Sequence, residues 1–499
     1  MPELIVNGKS CRTAREVLLG ESLAAAGFPV PQPCGGGGRC GKCRVTARGA
    51  LSPVTEQERL HLTEDELAGG VRLACQAVVL GDCEVCLSRE GEATVQIGGQ
   101  RQAKAARPAF RVLGAAIDVG TTTLAGRLYA PDGTCLASAG LRNPQSRWGA
   151  DVISRIQASM EGARDELAAS VRGAIVELCG ELARRAGADP GQIDGAVIDG
   201  NTAMLYLLTG AAPDALSRAP FEADRLFGCE LGAKELGLPF AVGARVYLPC
   251  CASAFLGADT TAAVLACGLC GSPETRLLAD VGTNGEIALW HGGVLLCCST
   301  AAGPAFEGAG LSMGMQGGEG AIDRVFLQGA TLRAHVIGGG APRGVCGSGV
   351  VDAMACLLQT GALDETGLLE DDPAPVAGNV SLSQQDVRMV QLAKSAICAG
   401  IRTLAQRAGV SLTEVSELLV AGGFGSTLDW SNAGLIGLIP RELAARARSV
   451  GNAALDGAAM LLLDVSLRAE SEAAAREART VELSTDPVFA QLYMDGMFF

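Results

Sequence analysis

Apolar residues occur along this chain in short runs, separated by glycine-rich turns and by longer segments with helical spacing. Short apolar runs predict strands at 113–118, 195–199, 276–280 and 417–421. Apolar residues at helical spacing predict helices at 151–186, 383–407 and 452–467. This alternation is typical of an α/β protein and covers most of the chain.

The same turn occurs twice, as AIDVGTTTLAG at 116–126 and as LLADVGTNGEIAL at 277–289. Each copy predicts a β-hairpin whose turn combines a carboxylate, a glycine and hydroxyl or amide side chains. Glycine lets backbone N–H groups approach an anion, threonine and asparagine add donors, and aspartate can hold a hydrated Mg²⁺. The repeat therefore predicts two similar lobes that face each other across a nucleotide-phosphate cleft.

Further glycine-rich stretches accompany the two turns. They are GNTAM at 200–204, LPCCASAFLGADTTAA at 248–263, AAGPAFEG at 301–308, GVCGSGVVDA at 344–353, AGGFGS at 421–426 and GNAALDGA at 451–458. Singly, each fits a turn or helix cap. AGGFG is well placed after a strand to present backbone to adenosine, and GNAALDGA suits a helix that connects the lobes. For Asn201 and Glu307, ligand contact and loop support both stay open.

The N-terminal unit has a different character. LIVNGK predicts a strand and turn, 13–28 a helix, and 71–87 further strands. Between them, Cys34, Cys40 and Cys43 follow a C-x5-C-x2-C spacing, and Cys75 lies further on. Three thiolates on one loop and a distant fourth predict a 2Fe–2S cluster, with zinc or four buried thiols as the alternatives. The overlapping GGGRCGK is no phosphate loop, because it lacks the following Ser or Thr and the preceding strand.

The other cysteines carry weaker signals. Cys83 and Cys86, like Cys267 and Cys270, have C-x-x-C spacing, and two adjacent pairs occur at 250–251 and 297–298. A second metal centre stays open, but small buried side chains are the favoured interpretation.

Composition limits partners and location. Within 499 residues we expect a 2Fe–2S domain at 1–88, a linker at 89–111, one nucleotide-binding α/β lobe at 112–270 and a second, with C-terminal helices, at 271–499. The net charge of −14 argues against nucleic acid as a partner. The N-terminus has no signal-peptide pattern, and no apolar run reaches the roughly 20 residues that span a bilayer, so no membrane contact and a cytoplasmic location are expected.

The motif set, following an N-terminal 2Fe–2S domain, resembles the ATP-dependent reductive activators of corrinoid proteins. The resemblance implies an α+β, β-grasp ferredoxin domain and a two-lobed α/β ATPase of the actin, heat-shock chaperone and sugar-kinase type. It implies that ATP helps the ferredoxin domain deliver one electron to a corrinoid methyl carrier, taking Co(II) to Co(I) in a methyltransferase or O-demethylase system of an anaerobe. An upstream electron donor would reload the cluster, and a homodimer stays open.

The resemblance also assigns residues. The first phosphate loop would be Asp118, Gly120, Thr121, Thr122 and Thr123, and the second Asp280, Gly282, Thr283, Asn284, Gly285 and Glu286. Asn201 is a further nucleotide candidate, and Gly422, Gly423 and Gly425 would form the adenosine loop. Asp118 and Asp280 would organise Mg²⁺ and water for hydrolysis.

Three alternatives remain: an activator of another low-potential metalloenzyme, a small-molecule kinase with a redox-sensing domain, and a chaperone-like ATP switch. The fused cysteine motif counts against the first, and the lack of a peptide-binding domain against the third.

The chain departs from the family pattern at one point. Larger family members carry an extra domain between ferredoxin and ATPase, where about 25 residues stand here.

Overall fold

The structure is a computed structural model that describes residues 1–28, 30, 32, 36–38, 41–87, 105–329, 331–422 and 428–499. The described residues form three six-stranded sheets and two smaller ones. One large sheet belongs to the N-terminal domain, and the other two form the cores of two α/β lobes.

The N-terminal sheet has the order β2-β1-β6-β4-β5, with β3 also paired to β6. Its elements are β1 (Glu3–Val6), β2 (Lys9–Arg12), β3 (Val17–Leu18), α1 (Leu19–Ala25), β4 (Arg44–Leu51), α2 (Glu56–His61), α3 (Glu64–Ala68), β5 (Val71–Leu73) and β6 (Val78–Cys86). Leu19 and Leu23 of α1 pack into the same apolar core as Leu4 and Val85 of the sheet. This packing of one helix on a mixed sheet agrees with the predicted β-grasp domain.

The first lobe is built on a sheet with the order β11-β12-β10-β7-β8-β9. Its elements are β7 (Leu113–Val119), β8 (Thr123–Tyr129), β9 (Cys135–Arg142), α4 (Val152–Ala158), α5 (Arg164–Ala186), β10 (Ile193–Gly200), α6 (Thr202–Thr209), β11 (Phe227–Gly232), β12 (Arg245–Cys250) and α7 (Ala258–Ala266). Helices α5 and α6 cover one face of this sheet with leucine, isoleucine and valine side chains.

The second lobe is built on a sheet with the order β22-β21-β13-β14-β15-β23. Its strands are β13 (Arg276–Val281), β14 (Gly285–His291), β15 (Val294–Thr300), β16 (Ala321–Gln328), β17 (Thr331–Val336), β18 (Gly344–Val345), β19 (Ala374–Ala377), β20 (Val380–Leu382), β21 (Glu417–Ala421), β22 (Ala447–Gly451) and β23 (Arg479–Thr480). Its helices are α8 (Gly347–Thr360), α9 (Gln384–Arg407), α10 (Trp430–Leu435), α11 (Ala453–Leu463), α12 (Leu467–Glu477) and α13 (Pro487–Asp495). Helices α8 and α9 cover one face of the six-stranded sheet.

The two lobes repeat one topology. In each, an antiparallel three-stranded meander is followed by two strands that add in parallel on the other side of the first strand. Strands β7 and β13 occupy equivalent central positions, and each starts one of the two predicted hairpins. The internal duplication read from the sequence is therefore confirmed in the fold.

A pair of helices is exchanged between the lobes. Helix α7 follows the first-lobe strand β12, yet its Ala263 and Val264 pack with Leu278 and Leu419 of the second-lobe sheet. Helix α11 follows the second-lobe strand β22 and packs through residues 455–463 on the other lobe, against β7, β8 and β10. The stretch GNAALDGA thus starts a connecting helix, as the sequence predicts.

The helices cross closely at Gly457. A Cβ atom there would lie 2.1 Å from the carbonyl oxygen of Ala262, which only glycine avoids. A buried ion pair of 2.7 Å between Arg127 of β8 and Asp456 fixes α11 to the first lobe.

Three predicted helices are shorter than expected. The helix at 13–28 begins only at Leu19, because Glu16 has φ of 61° and cannot continue a right-handed helix. The helix at 151–186 is interrupted at Gly162, where φ is 113°. The helix at 452–467 ends at Leu463, since Asp464 is extended. The predicted strands at 113, 195, 276 and 417 are all present.

Candidate functional site: a cleft between the lobes and a cysteine loop

The two repeated turns face each other across a cavity of about 420 Å³. Both turns join adjacent antiparallel strands, so the turn residues lie at the end of each sheet. Of the predicted nucleotide residues, those that line the cavity are Asp118, Gly120, Thr121, Thr122, Thr123, Asn201, Asp280, Gly282, Thr283, Asn284, Glu286 and Gly422. The structure thus brings together turns that are about 160 residues apart in sequence.

One predicted residue lies away from the cavity lining, and two cannot be placed. Gly285 is buried at the start of β14, where a Cβ would lie 3.1 Å from the Cγ2 of Thr300. Gly285 therefore serves packing behind the turn. Gly423 and Gly425 lie outside the described residues, whereas Gly422 lines the cavity.

Glu307 connects the two turns. Its Oε2 accepts a hydrogen bond of 2.6 Å from the Thr122 hydroxyl and one of 3.1 Å from the Thr283 hydroxyl. Glu307 itself lines the cavity, so it holds the loops from a position that a ligand would also reach. In this structure the carboxylate bridges the two turns.

Asn201 and Thr121 form a support for the first turn. The Asn201 Nδ2 donates to the Thr121 hydroxyl at 3.1 Å, while its Oδ1 caps α6 by accepting from the N–H of Met204. The buried Arg155 donates to the Thr121 carbonyl at 2.6 Å and to the Gly149 carbonyl at 3.0 Å. Burial lowers the pKa of Arg155 to about 10, so the guanidinium stays charged at neutral pH.

Four of the carboxyl groups that line the cleft have a raised pKa. Burial raises the pKa of Asp118 and of Asp280 to about 7 and that of Asp259 to about 6, and neighbouring carboxylates push the first two in the same direction. Burial also raises the pKa of Glu286 well above its usual range. A cation near these groups would offset the cost of burying the charged carboxylates and would reduce their mutual repulsion.

Sequence reasoning missed several of these residues. Asp259 lies at the start of α7 and lines the cavity beside Asp118 and Asp280. Asn452, the N-cap of α11, donates from Nδ2 to Asp118 Oδ2 at 2.8 Å. Their motifs, LGADTTAA and GNAALDGA, can be recognised in the sequence. Only the tertiary packing shows that Asp259 and Asn452 are the side chains of these motifs that reach the cleft.

Asp199 stands apart from the lining residues. It pairs in register with Asp118 on the adjacent parallel strand and is fully buried. Neither of its carboxylate oxygens has a hydrogen-bond partner among the described residues. Burial, with repulsion from Asp118 and Asp259, raises its pKa well above the usual range.

The donor set fits Mg²⁺ held through water and phosphate rather than by the protein alone. Within the described ranges, no three His, Cys, Asp or Glu side chains converge closely enough to hold a metal ion. Mg²⁺ commonly keeps several waters and binds through one or two carboxylates together with substrate phosphates. Asp118, Asp259 and Asp280 offer this kind of site.

The cysteine loop is described in part. The Sγ atoms of Cys43 and Cys75 lie 3.2 Å apart and are buried. The hydrogen bond from the Cys43 thiol lowers the pKa of Cys75 to about 6, which favours the thiolate that a cluster needs. Cys34 and Cys40 lie outside the described residues. The two described thiols fit shared ligation of one cluster.

Most of the other described cysteines are buried or half-buried, whereas Cys86 and Cys135 are exposed. Burial raises the pKa of Cys267 and of Cys297 to about 12 and that of Cys270 to about 11. Cys83 is buried and Cys86 is exposed, because residues three apart in a strand point to opposite faces. The interpretation as small buried side chains therefore fits Cys83 and the pair at 297–298, but not the exposed Cys86.

None of the helices in the described ranges is both long and apolar enough to cross a membrane.

Comparisons with known families cover nearly all of the chain. Residues 4–80 match the 2Fe–2S iron–sulfur cluster binding domain, 113–272 match the RACo middle region, and 274–499 match the C-terminal ASKHA domain of RACo. The middle-region match falls on the first lobe.

Among curated proteins, the corrinoid activation enzyme RamQ of Eubacterium limosum is 35% identical over 419 residues, covering 78% of this chain and 70% of that protein. The [Co(II) methylated amine-specific corrinoid protein] reductase of Methanosarcina barkeri is 29% identical over 233 residues, 42% of this chain and 43% of the relative.

A solved structure, the reductive activator for corrinoid, iron–sulfur protein, matches with a TM-score of 0.72 and 26% identity. The match covers all of this chain and 98% of the other. The two-lobed cleft and the N-terminal domain with its cysteine motif agree with these matches. The chain therefore belongs to the RACo family of reductive activators of corrinoid proteins.

Proposed function

We propose that this protein couples ATP to the one-electron reduction of a corrinoid methyl-carrier protein from Co(II) to Co(I) in a methyltransferase or O-demethylase system. The observation that carries the proposal is the full-length match, in fold and sequence, to a reductive activator for a corrinoid, iron–sulfur protein. The similarity to RamQ and to the methylated-amine corrinoid protein reductase supports the same chemistry.

The cleft would bind the triphosphate of ATP. The turns at 120–123 and 282–284 present backbone N–H groups and hydroxyl donors from both sides, and the adenosine would extend toward Gly422. Asp118 and Asp280 would orient hydrated Mg²⁺ and the attacking water, with Asp259 as a third carboxylate at the same position. Mg²⁺ would neutralise the phosphate charge and polarise the terminal phosphoryl group.

The cysteine loop would bind a 2Fe–2S cluster through Cys34, Cys40, Cys43 and Cys75. Such a cluster carries one electron at a time, which matches the single electron that Co(II) requires. An upstream donor would reload it. The domain bounds that we propose are 1–88 for this carrier, 89–111 for a linker, and 112–270 and 271–499 for the ATPase lobes.

ATP can assist the transfer only if it binds two conformations of the complex with different affinity. The exchanged helices α7 and α11, each packed on the other lobe, would serve as the hinge between such conformations. Closure on ATP would stabilise the complex with the corrinoid partner, and hydrolysis would release the reduced partner.

The test is anaerobic reduction of a purified Co(II) corrinoid protein by the reconstituted, chemically reduced protein, with and without Mg-ATP, followed by the absorbance of Co(I). We expect Co(I) only with Mg-ATP. Asp280→Asn should abolish the formation of Co(I) with Mg-ATP. Asp132→Asn changes an exposed carboxylate in a turn, and this variant should still form Co(I) with Mg-ATP. ATP-dependent reduction of a different metalloenzyme, with none of the corrinoid protein, would instead favour an activator of another low-potential enzyme.

A further inference from the structure

The side-chain amide of Gln76 lies against the sulfur of the cluster-ligand candidate Cys75. Its Nε2 donates to the Cys75 carbonyl at 3.0 Å, to the Gly36 carbonyl at 3.4 Å and to the Cys75 Sγ at 3.6 Å. The amide nitrogen has two protons, so one serves the Cys75 carbonyl and the other is shared between the sulfur and Gly36. Gln76 therefore joins the distant cysteine to the glycine-rich loop.

The glycine-rich loop leaves room for this amide. A Cβ atom at Gly38 would lie 2.7 Å from the Gln76 Nε2, which is closer than atoms can approach without moving. Gly38 has a φ of 70°, a conformation that favours glycine. Hydrogen bonds from the Cys43 thiol, from Gln76 and from the Gly38 N–H lower the pKa of Cys75 to about 6, against the effect of burial. The thiolate sulfur is thus the common acceptor of these donors.

The backbone of Gln76 is fixed independently of its side chain. The Gln76 N–H donates to the Leu73 carbonyl at 2.9 Å, which closes a turn. The N–H of Gly20, in the first turn of α1, donates to the Ala74 carbonyl at 2.7 Å and holds the same turn on the helix. A change of the Gln76 side chain should therefore leave the backbone of the preceding cysteine in place.

A hydrogen-bond donor to a ligand sulfur favours the reduced form of an iron–sulfur cluster. One-electron reduction adds a negative charge that is spread over iron and sulfur. An N–H group directed at the sulfur stabilises this added charge, so it raises the reduction potential, and loss of the donor lowers it.

We propose that Gln76 is a positioning residue that sets the reduction potential of the 2Fe–2S cluster through its N–H···S hydrogen bond to Cys75. The inference rests on the cluster ligation in the proposed function. The hydrogen bond makes the cluster easier to load from the upstream donor. It also leaves less driving force for transfer to Co(II), which is the step that ATP assists.

Potentiometric titration of the reconstituted full-length protein, followed by the EPR signal of the reduced cluster, measures the effect. Gln76→Met keeps the length of the side chain and removes both N–H donors. We expect the equilibrium constant for reduction to fall about tenfold, the size expected for one hydrogen bond to a charged group, which lowers the midpoint potential by about 59 mV for one electron. Gln57→Met makes the same chemical change at an exposed position of α2 and should keep the wild-type potential.

Two further measurements decide the inference if Gln76→Met assembles no cluster. Gln76→Glu keeps the shape of the side chain but replaces the N–H donors by an acceptor oxygen, so it should also lower the midpoint potential. In wild-type protein labelled isotopically at the side-chain nitrogen of glutamine, pulsed EPR should detect a glutamine nitrogen coupled to the reduced cluster.

The outcomes separate this inference from the proposed function. A lower potential in the Gln76 variants alone supports the inference. Equal midpoint potentials in wild type, Gln76→Met and Gln57→Met overturn it and leave the proposed function intact, and so does the absence of a coupled glutamine nitrogen in the wild type. A reconstituted wild type without a 2Fe–2S signal overturns the proposed function together with this inference.

Discussion

Asn452 joins Asp118 to the helix that connects the lobes. Its Nδ2 donates to Asp118 Oδ2 at 2.8 Å, and its Oδ1 accepts at 2.8 Å from the N–H of Leu455 in the first turn of α11. One side chain therefore caps the connecting helix and orients a carboxylate of the phosphate turn. Movement of α11 relative to the first lobe would therefore change the position of the Asp118 carboxylate.

The two roles of Asn452 can be separated by substitution. Asn452→Ala removes both, and we expect a loss of about 1 kcal/mol in the free energy of unfolding from the lost cap. Asn452→Ser should keep the cap but lose the bond to Asp118, which should lower ATP turnover roughly tenfold with little change in stability. Urea unfolding and steady-state ATPase rates measure the two effects. Equal turnover in the Asn452→Ser variant and the wild type would contradict the role in orienting Asp118.

The crossing of α7 and α11 depends on Gly457. A side chain at this position meets the backbone of Ala262, which cannot move without separating the helices. We expect Gly457→Ala to cost about 1–3 kcal/mol of unfolding free energy. Gly173→Ala, in the exposed face of α5 with open space around it, should instead stabilise the protein by about 0.5–1 kcal/mol. Thermal and urea unfolding of the two variants measure this difference. A loss of stability in Gly457→Ala alone would show steric crowding at the helix crossing, whereas an equal change in both variants would show a general effect of replacing glycine by alanine.

The ion pair of Arg127 and Asp456 holds α11 on the first lobe from a buried position, with side-chain exposures of 9% and 6%. Asp456→Ala leaves the guanidinium buried without this partner, and we expect a loss of about 3–5 kcal/mol. Glu181→Ala breaks an exposed pair on α5 and should have a much smaller effect. Similar stabilities of the two variants in urea would show that the buried pair does not hold the connecting helix.

Stability without nucleotide should fall as the pH rises. Burial raises the pKa of Asp280 to about 7 from an unfolded value of 3.8, so the folded protein binds the extra proton between these limits. Its stabilising contribution is complete below about pH 4 and is lost as the pH rises toward 7, by roughly 1.4 kcal/mol for each pH unit.

Asp280→Asn should remove this dependence, so its stability relative to wild type should increase from pH 5 to pH 7. The difference between Asp132→Asn and wild type should stay constant over the same interval, because the hydrogen bond from Thr134 holds the pKa of Asp132 below its usual value. Denaturant titrations at several pH values measure both. A constant difference for Asp280→Asn would contradict a protonated Asp280 in the empty cleft.

The cysteine assignment predicts a spectroscopic difference between neighbours in one domain. Cys75→Ser should abolish the visible absorbance and the EPR signal of the reduced, reconstituted protein, because one cluster ligand is lost. Cys83→Ser changes a buried thiol whose pKa is raised by burial, and it should retain both signals. An unchanged spectrum in Cys75→Ser would remove this residue from the ligand set.

Much of the site was predictable because its signals are local. A hairpin turn such as that at 120–123 is built by adjacent residues, so its glycine and hydroxyls can be recognised without knowing the fold. The Cys34, Cys40 and Cys43 spacing is equally local. Helix limits were less predictable, since Glu16, Gly162 and Asp464 change the backbone direction within otherwise periodic segments.

The sequence alone determined the duplicated turns, the cysteine motif and the positions of four strands, since each depends on neighbours in the chain. Only the tertiary structure decided that Glu307 is shared by Thr122 and Thr283, that Asp259 and Asn452 stand beside Asp118, and that Lys42 reaches Leu311. These relationships join residues from 24 to 334 positions apart. They arise from the packing of two lobes and an N-terminal domain, which no local pattern encodes.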